Sequence, residues 1–331
     1  MKHQTPIFIA VAVLTIFLLG GCSNLLSFGK GNQKELAVTQ ESLRTGTDAL
    51  VFSFNENSPP KQAYEGQNVP VAFTLSNKGA SNIQNGKLIL SYDDAFLQNL
   101  NEPWKEYDES VSSSGNLVSF TMAGKSIDNP EGEIQVYSKN FMAAKSIGAN
   151  RQSVDASIIA TACYDYQTQK SIPICIDTIP YQNINKPCKT SAVTLDSEGA
   201  PLAITKVTPT LVPKINGYEL TVDIDLANKG KGQLYQKGQT ESACGGNSVP
   251  QNIITEEEIE LRLGSDEQNN FKCSPLPLKI TGTDSSLRCT YNQIIPISQP
   301  YSTALFISIG YGYSSSISTQ TKILKGISVI S

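Results

Sequence analysis

Two stretches of the chain alternate apolar and polar residues at a period of two, and the stretches resemble each other. They are "VPVAFTLSNKGAS", which begins at Val69, and "LTVDIDLANKGKG", which begins at Leu220. Such alternation predicts a β-strand with one face in a core and the other in water. Each stretch ends in Asn-Lys-Gly, where glycine lets the chain turn. The Asn-Lys-Gly ends lie 151 residues apart, so we expect two similar β-modules.

Further short alternating segments surround both stretches, and we interpret each of them as a strand. In the first module they are Ala49–Phe54, Lys87–Tyr92, Leu117–Met122, Ile134–Tyr137, Ser153–Tyr166 and Ile172–Asp177. In the second module they are Pro201–Val207, Ile253–Leu263, Leu276–Ile280, Leu287–Tyr291, Ser302–Tyr313 and Thr321–Ile330. About seven strands per module favour Greek-key sandwiches. Beyond the N-terminal segment no stretch has a helical period, so the chain is predicted to be all-β.

The N-terminal segment has the layout of an export signal. Lys2 precedes an apolar run of 13 residues, Ile7 to Leu19, and Leu19-Gly20-Gly21-Cys22 follows. The run is shorter than the roughly 20 residues that span a bilayer, and it suits a secretory signal peptide. We therefore expect residues 1–21 to be a signal peptide.

Leu19-Gly20-Gly21-Cys22 resembles the lipobox of lipoprotein signal peptides. The resemblance implies that lipid is attached to the Cys22 sulfur and that the chain is cleaved before Cys22. Two lipid chains give stable membrane attachment, at about 0.8 kcal/mol per buried methylene. Residues 22–47 would then be the lipidated N-terminus and a flexible tether. The alternative is an ordinary signal peptide or an uncleaved anchor with an incidental cysteine.

The "V-x-V-x-F-x-L-x-N-K-G" run resembles the CARDB and related immunoglobulin-like modules of prokaryotic surface proteins. The layout of the whole chain resembles archaeal surface lipoproteins with tandem modules of this kind. The resemblance implies immunoglobulin-like β-sandwiches at residues 48–180 and 201–331, joined by a linker at residues 181–200. It also implies adhesion, spacing or scaffolding outside the cell, and it names no catalytic residue.

Composition narrows the chemistry that is open to this chain. The net charge is −4 and no Lys/Arg cluster stands out, so nucleic acid is not an expected partner. The one histidine, His3, precedes the apolar run and would be removed with it. Without imidazole, Ser-His-Asp and Cys-His nucleophiles and the common histidine metal sites are excluded. Chemistry based on carboxylates or lysine stays open.

Six cysteines besides Cys22 predict disulfides in an exported chain. If Ser153–Tyr166 and Ile172–Asp177 form a hairpin, a register with Cys163 opposite Cys175 places apolar residues opposite each other. Cys273 opposite Cys289 does the same in the second module, and Cys188 with Cys244 remains by elimination. The rival interpretation, metal binding, lacks both histidine and a Cys-x-x-Cys pair, and we expect no metal or other cofactor.

Two further segments could carry function. Glu256, Glu257 and Glu258 could hold a cation or act as acid and base, although their apolar neighbours favour a solvated strand edge. The loop from Asn99 to Asn116 holds the only tryptophan, Trp104, together with Tyr107. Exposed aromatic residues at a sandwich end often contact partners, so both are candidate partner contacts. The alternative for Trp104 is that it caps the core.

These observations favour a lipid-anchored, extracytoplasmic protein that is not an enzyme and has no catalytic residues. It would act as a structural, adhesion or protein-interaction module at the cell surface or envelope. Its partners would be the membrane, through the lipid on Cys22, and an envelope or surface protein or glycan. The working surface would be loops at one sandwich end or an exposed strand edge. The alternative is a carbohydrate-binding or glycan-active surface protein that uses two carboxylates.

Overall fold

The structure, a computed structural model, describes residues 41–107, 109–111, 113–196, 198–281 and 285–326. The predicted signal peptide and Cys22 lie outside these ranges, so lipidation stays a prediction. The described residues all belong to one compact unit, Thr39–Ser331. Their helices are short: α1 (Thr240–Cys244) and 3₁₀ turns at Glu41–Leu43 and Glu256–Glu258. The prediction of an all-β chain is confirmed.

The strands follow one another along the chain in two series. The first series is β1 (Leu50–Phe54), β2 (Gln62–Tyr64), β3 (Asn68–Asn77), β4 (Ile83–Tyr92), β5 (Leu97–Asn99), β6 (Lys105–Glu106), β7 (Glu109–Ser110), β8 (Ser113–Ser114), β9 (Leu117–Met122), β10 (Ile134–Ala143) and β11 (Ser153–Ile176). The second is β12 (Val193–Thr194), β13 (Leu202–Lys214), β14 (Gly217–Asn228), β15 (Gln233–Tyr235), β16 (Ile253–Ile254), β17 (Ile259–Leu263), β18 (Phe271–Ser274), β19 (Leu278–Lys279), β20 (Ser285–Tyr291) and β21 (Tyr301–Leu324).

Three principal sheets pack around one hydrophobic core. One sheet has the order β1-β3-β10-β6-β7, a second has β12-β13-β14-β20-β18, and a third has β15-β21-β11-β4-β9-β8. In the first half, β1, β3 and β10 face β9, β4 and β11, which is an immunoglobulin-like Greek-key arrangement. In the second half, β13, β14 and β20 face β21 and its neighbours. A single cluster of buried apolar side chains runs through both halves.

The two halves are joined by their longest strands. β11 and β21 pair antiparallel along their whole length, from Ser153 opposite Leu324 to Ile176 opposite Tyr301. β4 pairs with the first part of β11, while β15 and β17 pair with the first part of β21. Each long strand is therefore an inner strand of its own sandwich and continues past the partner sandwich. The domain boundaries at residues 180 and 201 stay a prediction, and the shared sheet links the two halves across them.

The sequence repeat reappears as a repeated set of hydrogen bonds. Asn77 Oδ1 accepts from Gly79 N at 3.1 Å, and Asn228 Oδ1 accepts from Gly230 N at 3.2 Å. Each asparagine amide also donates to the backbone four residues on. Beside these loops, the Tyr166 hydroxyl accepts from Ser81 N and the Tyr313 hydroxyl from Gly232 N. The two Asn-Lys-Gly loops thus dock on equivalent tyrosines of β11 and β21.

Four tyrosines lie where β11 and β21 cross from one half to the other. We call Tyr164, Tyr166, Tyr311 and Tyr313 the tyrosine centre. Tyr164 pairs with Tyr313 and Tyr166 with Tyr311, and these opposed rings lie 6.0 and 6.2 Å apart between centroids. All four are at most 3% exposed. Burial raises the pKa of Tyr313 to about 12 and those of Tyr164 and Tyr311 well above the ordinary value.

The predicted hairpin of the first module is wrong, and two strands predicted at the end of the second module are one strand for the same reason. Ser153–Tyr166 and Ile172–Asp177 form one continuous strand, β11, and Ser302–Tyr313 is continuous with Thr321 in β21. The polar segments between them, residues 167–171 and 314–320, look like turns but contain no glycine or proline. Because each segment pairs with the opposite long strand, its backbone hydrogen bonds are satisfied without a turn.

All six cysteines of the described chain form disulfides, and one of the three predicted pairs is confirmed. Cys273 and Cys289 are bonded and lie opposite each other on neighbouring strands. The pairing of Cys163 with Cys175 is wrong, because both lie on one extended strand. Cys163 is bonded to Cys244, and Cys175 is bonded to Cys188. The proposed pairing of Cys188 with Cys244 is therefore wrong as well.

Candidate functional site

Large apolar side chains are exposed together at one end of the second half. We call this surface the apolar end, and it comprises Tyr181, Ile184, Val212, Ile215, Ile294, Ile297 and Tyr301. Tyr181 and Ile215 are almost completely exposed, and Ile297 is 68% exposed. Single exposed apolar residues are ordinary, but a group of them marks an interaction surface or an aggregation hazard.

Three segments meet to form this surface. The tip of the β13–β14 hairpin is bridged to the 292–300 loop, because Tyr218 and Ile295 exchange two backbone hydrogen bonds of 2.8 Å. That loop is bonded in turn to the segment after β11: Thr178 Oγ1 donates to Ser298 O and accepts from Ser298 N, both at 2.9 Å. The apolar side chains therefore share one hydrogen-bonded framework.

The segment that carries Tyr181 and Ile184 is fastened at its base. The Cys175–Cys188 disulfide closes it across 13 residues. Inside that loop, Lys186 Nζ lies 2.7 Å from Asp177 Oδ2 and donates to the Ile179 carbonyl at 2.8 Å. Both charged side chains of this pair are mostly buried. A fastened loop loses little conformational entropy when a partner binds.

The hairpin tip depends on a glycine. A two-residue turn, Ile215-Asn216, joins Lys214 to Gly217. Gly217 has a φ of 146°, and an added Cβ would lie 2.2 Å from the Ile295 carbonyl oxygen. Any other residue at this position would push the hairpin away from the 292–300 loop. Gly217 thus holds two of the three segments together.

The free edge of β13, beside the apolar end, is poorly suited to accept another strand. In a two-residue hairpin the pair that flanks the turn is hydrogen-bonded, so the backbones of Pro209, Leu211 and Pro213 point away from β14. Proline has no N–H to donate. Only one of the three outward positions can therefore donate to an added strand. Of the two working surfaces expected from the sequence, this region favours the loops over the edge.

The predicted partner contact at Trp104 is wrong, because its side chain is fully buried. Its ring lies 6.3 Å from Phe73 between centroids, so Trp104 caps the core, which was the alternative interpretation. Tyr107 is 57% exposed and its hydroxyl donates to the Ile134 carbonyl. Tyr107 lies in the first half, at a strand turn away from the apolar end.

In the acidic segment Glu256–Glu258, the described contacts of Glu258 stabilise the local fold. Glu258 is buried: one carboxylate oxygen accepts from Lys237 N, and the other accepts from Thr255 N and Oγ1. Glu256–Glu258 is a 3₁₀ turn, and β17 starts only at Ile259. Among described residues, no group of three or more His, Cys, Asp or Glu side chains could hold a metal ion.

The sequence contains one local signal for the apolar end. Turns are normally polar, yet Ile215 occupies a two-residue turn, and the loop "NQIIPISQP" carries three isoleucines. An apolar residue in a turn has no core to enter.

Of the helices within the described ranges, none has the length and apolarity needed to cross a membrane.

No family model and no curated protein matches this chain. Solved structures with a detectable likeness include Spo0M, a sporulation control protein from Bacillus subtilis, at 10% identity over 61% of this chain and 83% of that one, with a TM-score of 0.19. The C-terminal domain of the AgI/II polypeptide BspA from Streptococcus agalactiae is 8% identical over 83% and 97%, with a TM-score of 0.16. The CupB6 tip adhesin from Pseudomonas aeruginosa is 11% identical over 83% and 98%, also at 0.16. Scores this low carry no argument about function.

Proposed function

We propose that this chain is an extracytoplasmic adhesion or interaction module that is anchored to a membrane by lipid on Cys22 and is not an enzyme. The observation that carries the proposal is the apolar end, where seven large apolar side chains are exposed on loops and adjoining strand ends that hydrogen bonds and a disulfide hold in place. Burial of these side chains against a partner would stabilise the complex by about 25 cal/mol per Å² of apolar surface removed from water.

The partner that this surface fits is a protein. Five of the seven side chains are aliphatic and two are tyrosines, and the buried centre of a protein–protein interface is apolar and poor in charged residues. The lysines that flank the surface are neutralised within the chain, since Lys186 pairs with Asp177 and Lys214 pairs with Glu219 at 3.1 Å. A surface without free charge at these positions favours an apolar partner over a charged one.

Photo-crosslinking in intact cells tests the interaction. A photoreactive amino acid is placed at Tyr181 or Ile297, and at Ile127 as a matched control, because Ile127 is 57% exposed and lies in the first half. We expect one discrete protein adduct from the two apolar-end positions and none from Ile127. Adducts of equal yield at all three positions, or none at the apolar end, would overturn the proposal.

Membrane anchoring is tested separately. Replacement Cys22→Ser should leave the chain uncleaved or release it from membranes, since the sulfur that receives the lipid is gone. Mass spectrometry and membrane fractionation measure the two effects. Unchanged mass and unchanged partitioning would show that Cys22 is not the anchor, while the crosslinking result would still stand.

A further inference from the structure

A groove in the first half is lined in part by residues 101–103, far along the chain from the apolar end. We call it the Lys139 groove, and its walls include Asn101, Glu102, Val111, Ser113, Gly115 and Lys139. Its volume is about 510 Å³. This size is within the range of sites that bind small molecules.

Lys139 is the unusual feature of this groove. It lies on β10, and its side chain is only 3% exposed. Its ammonium donates to the Glu102 carbonyl at 2.8 Å and lies 5.8 Å from the centre of the Trp104 ring. An ammonium has three donors, and the described residues give this one no second hydrogen bond. Burial lowers the pKa of Lys139, while the charge of Glu102 acts in the opposite direction.

A buried ammonium with unused donors is costly unless acceptors reach it. The Glu102 carboxylate does not fill this role, because its Oε2 accepts from Asn140 Nδ2 at 3.0 Å and the side chain is exposed. Ser113 and Asn101 add neutral polar groups to the same groove. A carboxylate offers two acceptor oxygens and forms charge-assisted hydrogen bonds, which are the strong ones.

We propose that the Lys139 groove binds a small carboxylate-bearing ligand, whose oxygens accept hydrogen bonds from the Lys139 ammonium. The Ser113 hydroxyl and the Asn101 amide would orient the rest of the ligand. Nothing in this proposal depends on the apolar end or on membrane anchoring, so its failure leaves the proposed function unaffected.

Tryptophan fluorescence can report binding in the Lys139 groove. Trp104 is the only tryptophan in the sequence, and its ring lies beside the Lys139 ammonium. We would titrate the full chain with D-glucuronate, and with D-glucose as an uncharged control, at constant ionic strength. Tryptophan fluorescence and calorimetry would both be followed, so that an optically silent event is still detected. We expect saturable binding of glucuronate and none of glucose.

Two variants assign the binding to the groove. Lys139→Met keeps the length of the side chain but removes the charge. It should weaken binding by about tenfold or more, because it removes a charge-assisted hydrogen bond to the ligand. Glu102→Gln removes a like charge beside the ligand and should tighten binding severalfold. The Glu102 side chain is exposed, so this variant tests the proposal even if Lys139→Met does not fold.

Any one of the following results would overturn the proposal. These are no saturable binding of glucuronate by either method, equal binding of glucose, and unchanged affinity in a folded Lys139→Met variant. Weaker binding in Glu102→Gln would also contradict it, because a carboxylate ligand must gain from the loss of a neighbouring negative charge. Circular dichroism of each variant establishes that it is folded.

Discussion

Tyrosine side chains are buried at the tyrosine centre and exposed at the apolar end. At the centre, Tyr311 is fully buried, and its hydroxyl lies 3.1 Å from Thr168 Oγ1 and 3.4 Å from Leu202 N. At the apolar end, Tyr181 is 98% exposed. Tyr181 lies in the loop that the Cys175–Cys188 disulfide closes. The difference is that the centre is covered by both halves of the molecule, whereas nothing within the described chain covers the apolar end.

This comparison separates residues that stabilise the fold from residues that are available to a partner. Side chains at the centre contribute to the free energy of unfolding through burial and hydrogen bonds. Side chains at the apolar end lose water contact only when something else binds. Changes at the centre should therefore alter stability, and changes at the apolar end should alter binding.

The largest expected effect comes from the two disulfides that serve these regions. Cys163–Cys244 fastens α1 beside the centre and spans 81 residues, whereas Cys175–Cys188 spans 13. In the chain-entropy model their loss costs about 4.5 and about 3 kcal/mol. Denaturant unfolding of the paired Cys→Ala variants measures both. An equal loss from the two variants would contradict the loop-length ranking.

Tyr311→Ala should lower the free energy of unfolding by about 4 kcal/mol, because it leaves a large cavity in a packed core. The variant also removes the hydroxyl that bonds Thr168 and Leu202. Urea unfolding followed by circular dichroism gives the value. Tyr311→Phe is the matched control, since it keeps the ring and should cost only about 1 kcal/mol. Equal losses in the two variants would show that the hydroxyl, not packing, dominates.

Alkaline pH should lower the free energy of unfolding through the tyrosine centre. Burial raises the pKa of Tyr313 from 10.0 to about 12 in the folded chain, so above pH 10 the unfolded chain loses a proton that the folded chain keeps. The stability that this group contributes is complete below pH 10 and is lost as the pH rises towards 12. Unfolding free energies measured across this range should fall as the pH rises. A flat profile would contradict the burial argument.

The smallest effect on stability is expected at the apolar end. Tyr181→Ser and Ile215→Ser should each change the free energy of unfolding by less than about 0.5 kcal/mol, as exposed positions do. The same variants should abolish the crosslinked adduct at Ile297. A large loss of stability in either variant would mean that the end is packed in the folded molecule and is not a free surface.

The sequence predicted the repeat and most strand positions well. Leu117–Met122 coincides with β9, and the alternation from Leu305 to Tyr313 marks the buried face of β21. The strand prediction failed where a polar segment continues a strand, as at residues 167–171. The local pattern does not show that a distant strand pairs there. That single error also misassigned the partners of Cys163 and Cys175.

The candidate site was harder to predict from the sequence than the strands were. Trp104 was a candidate for exposure because its neighbours are polar, but the loop folds the indole ring inward against Phe73. The apolar end was missed because its residues come from three segments, around Tyr181, Ile215 and Ile297. No local pattern unites segments that meet only after folding.

The sequence by itself determined that this chain is all-β, that it contains a repeat ending in Asn-Lys-Gly, and that its six described cysteines are suited to disulfides. These properties depend on local periodicity, turn chemistry and composition. Only the tertiary structure decided that β11 and β21 form one shared sheet, which cysteines are bonded, and which apolar residues stay exposed. The physical reason is that strand pairing and burial depend on contacts between residues far apart in the chain.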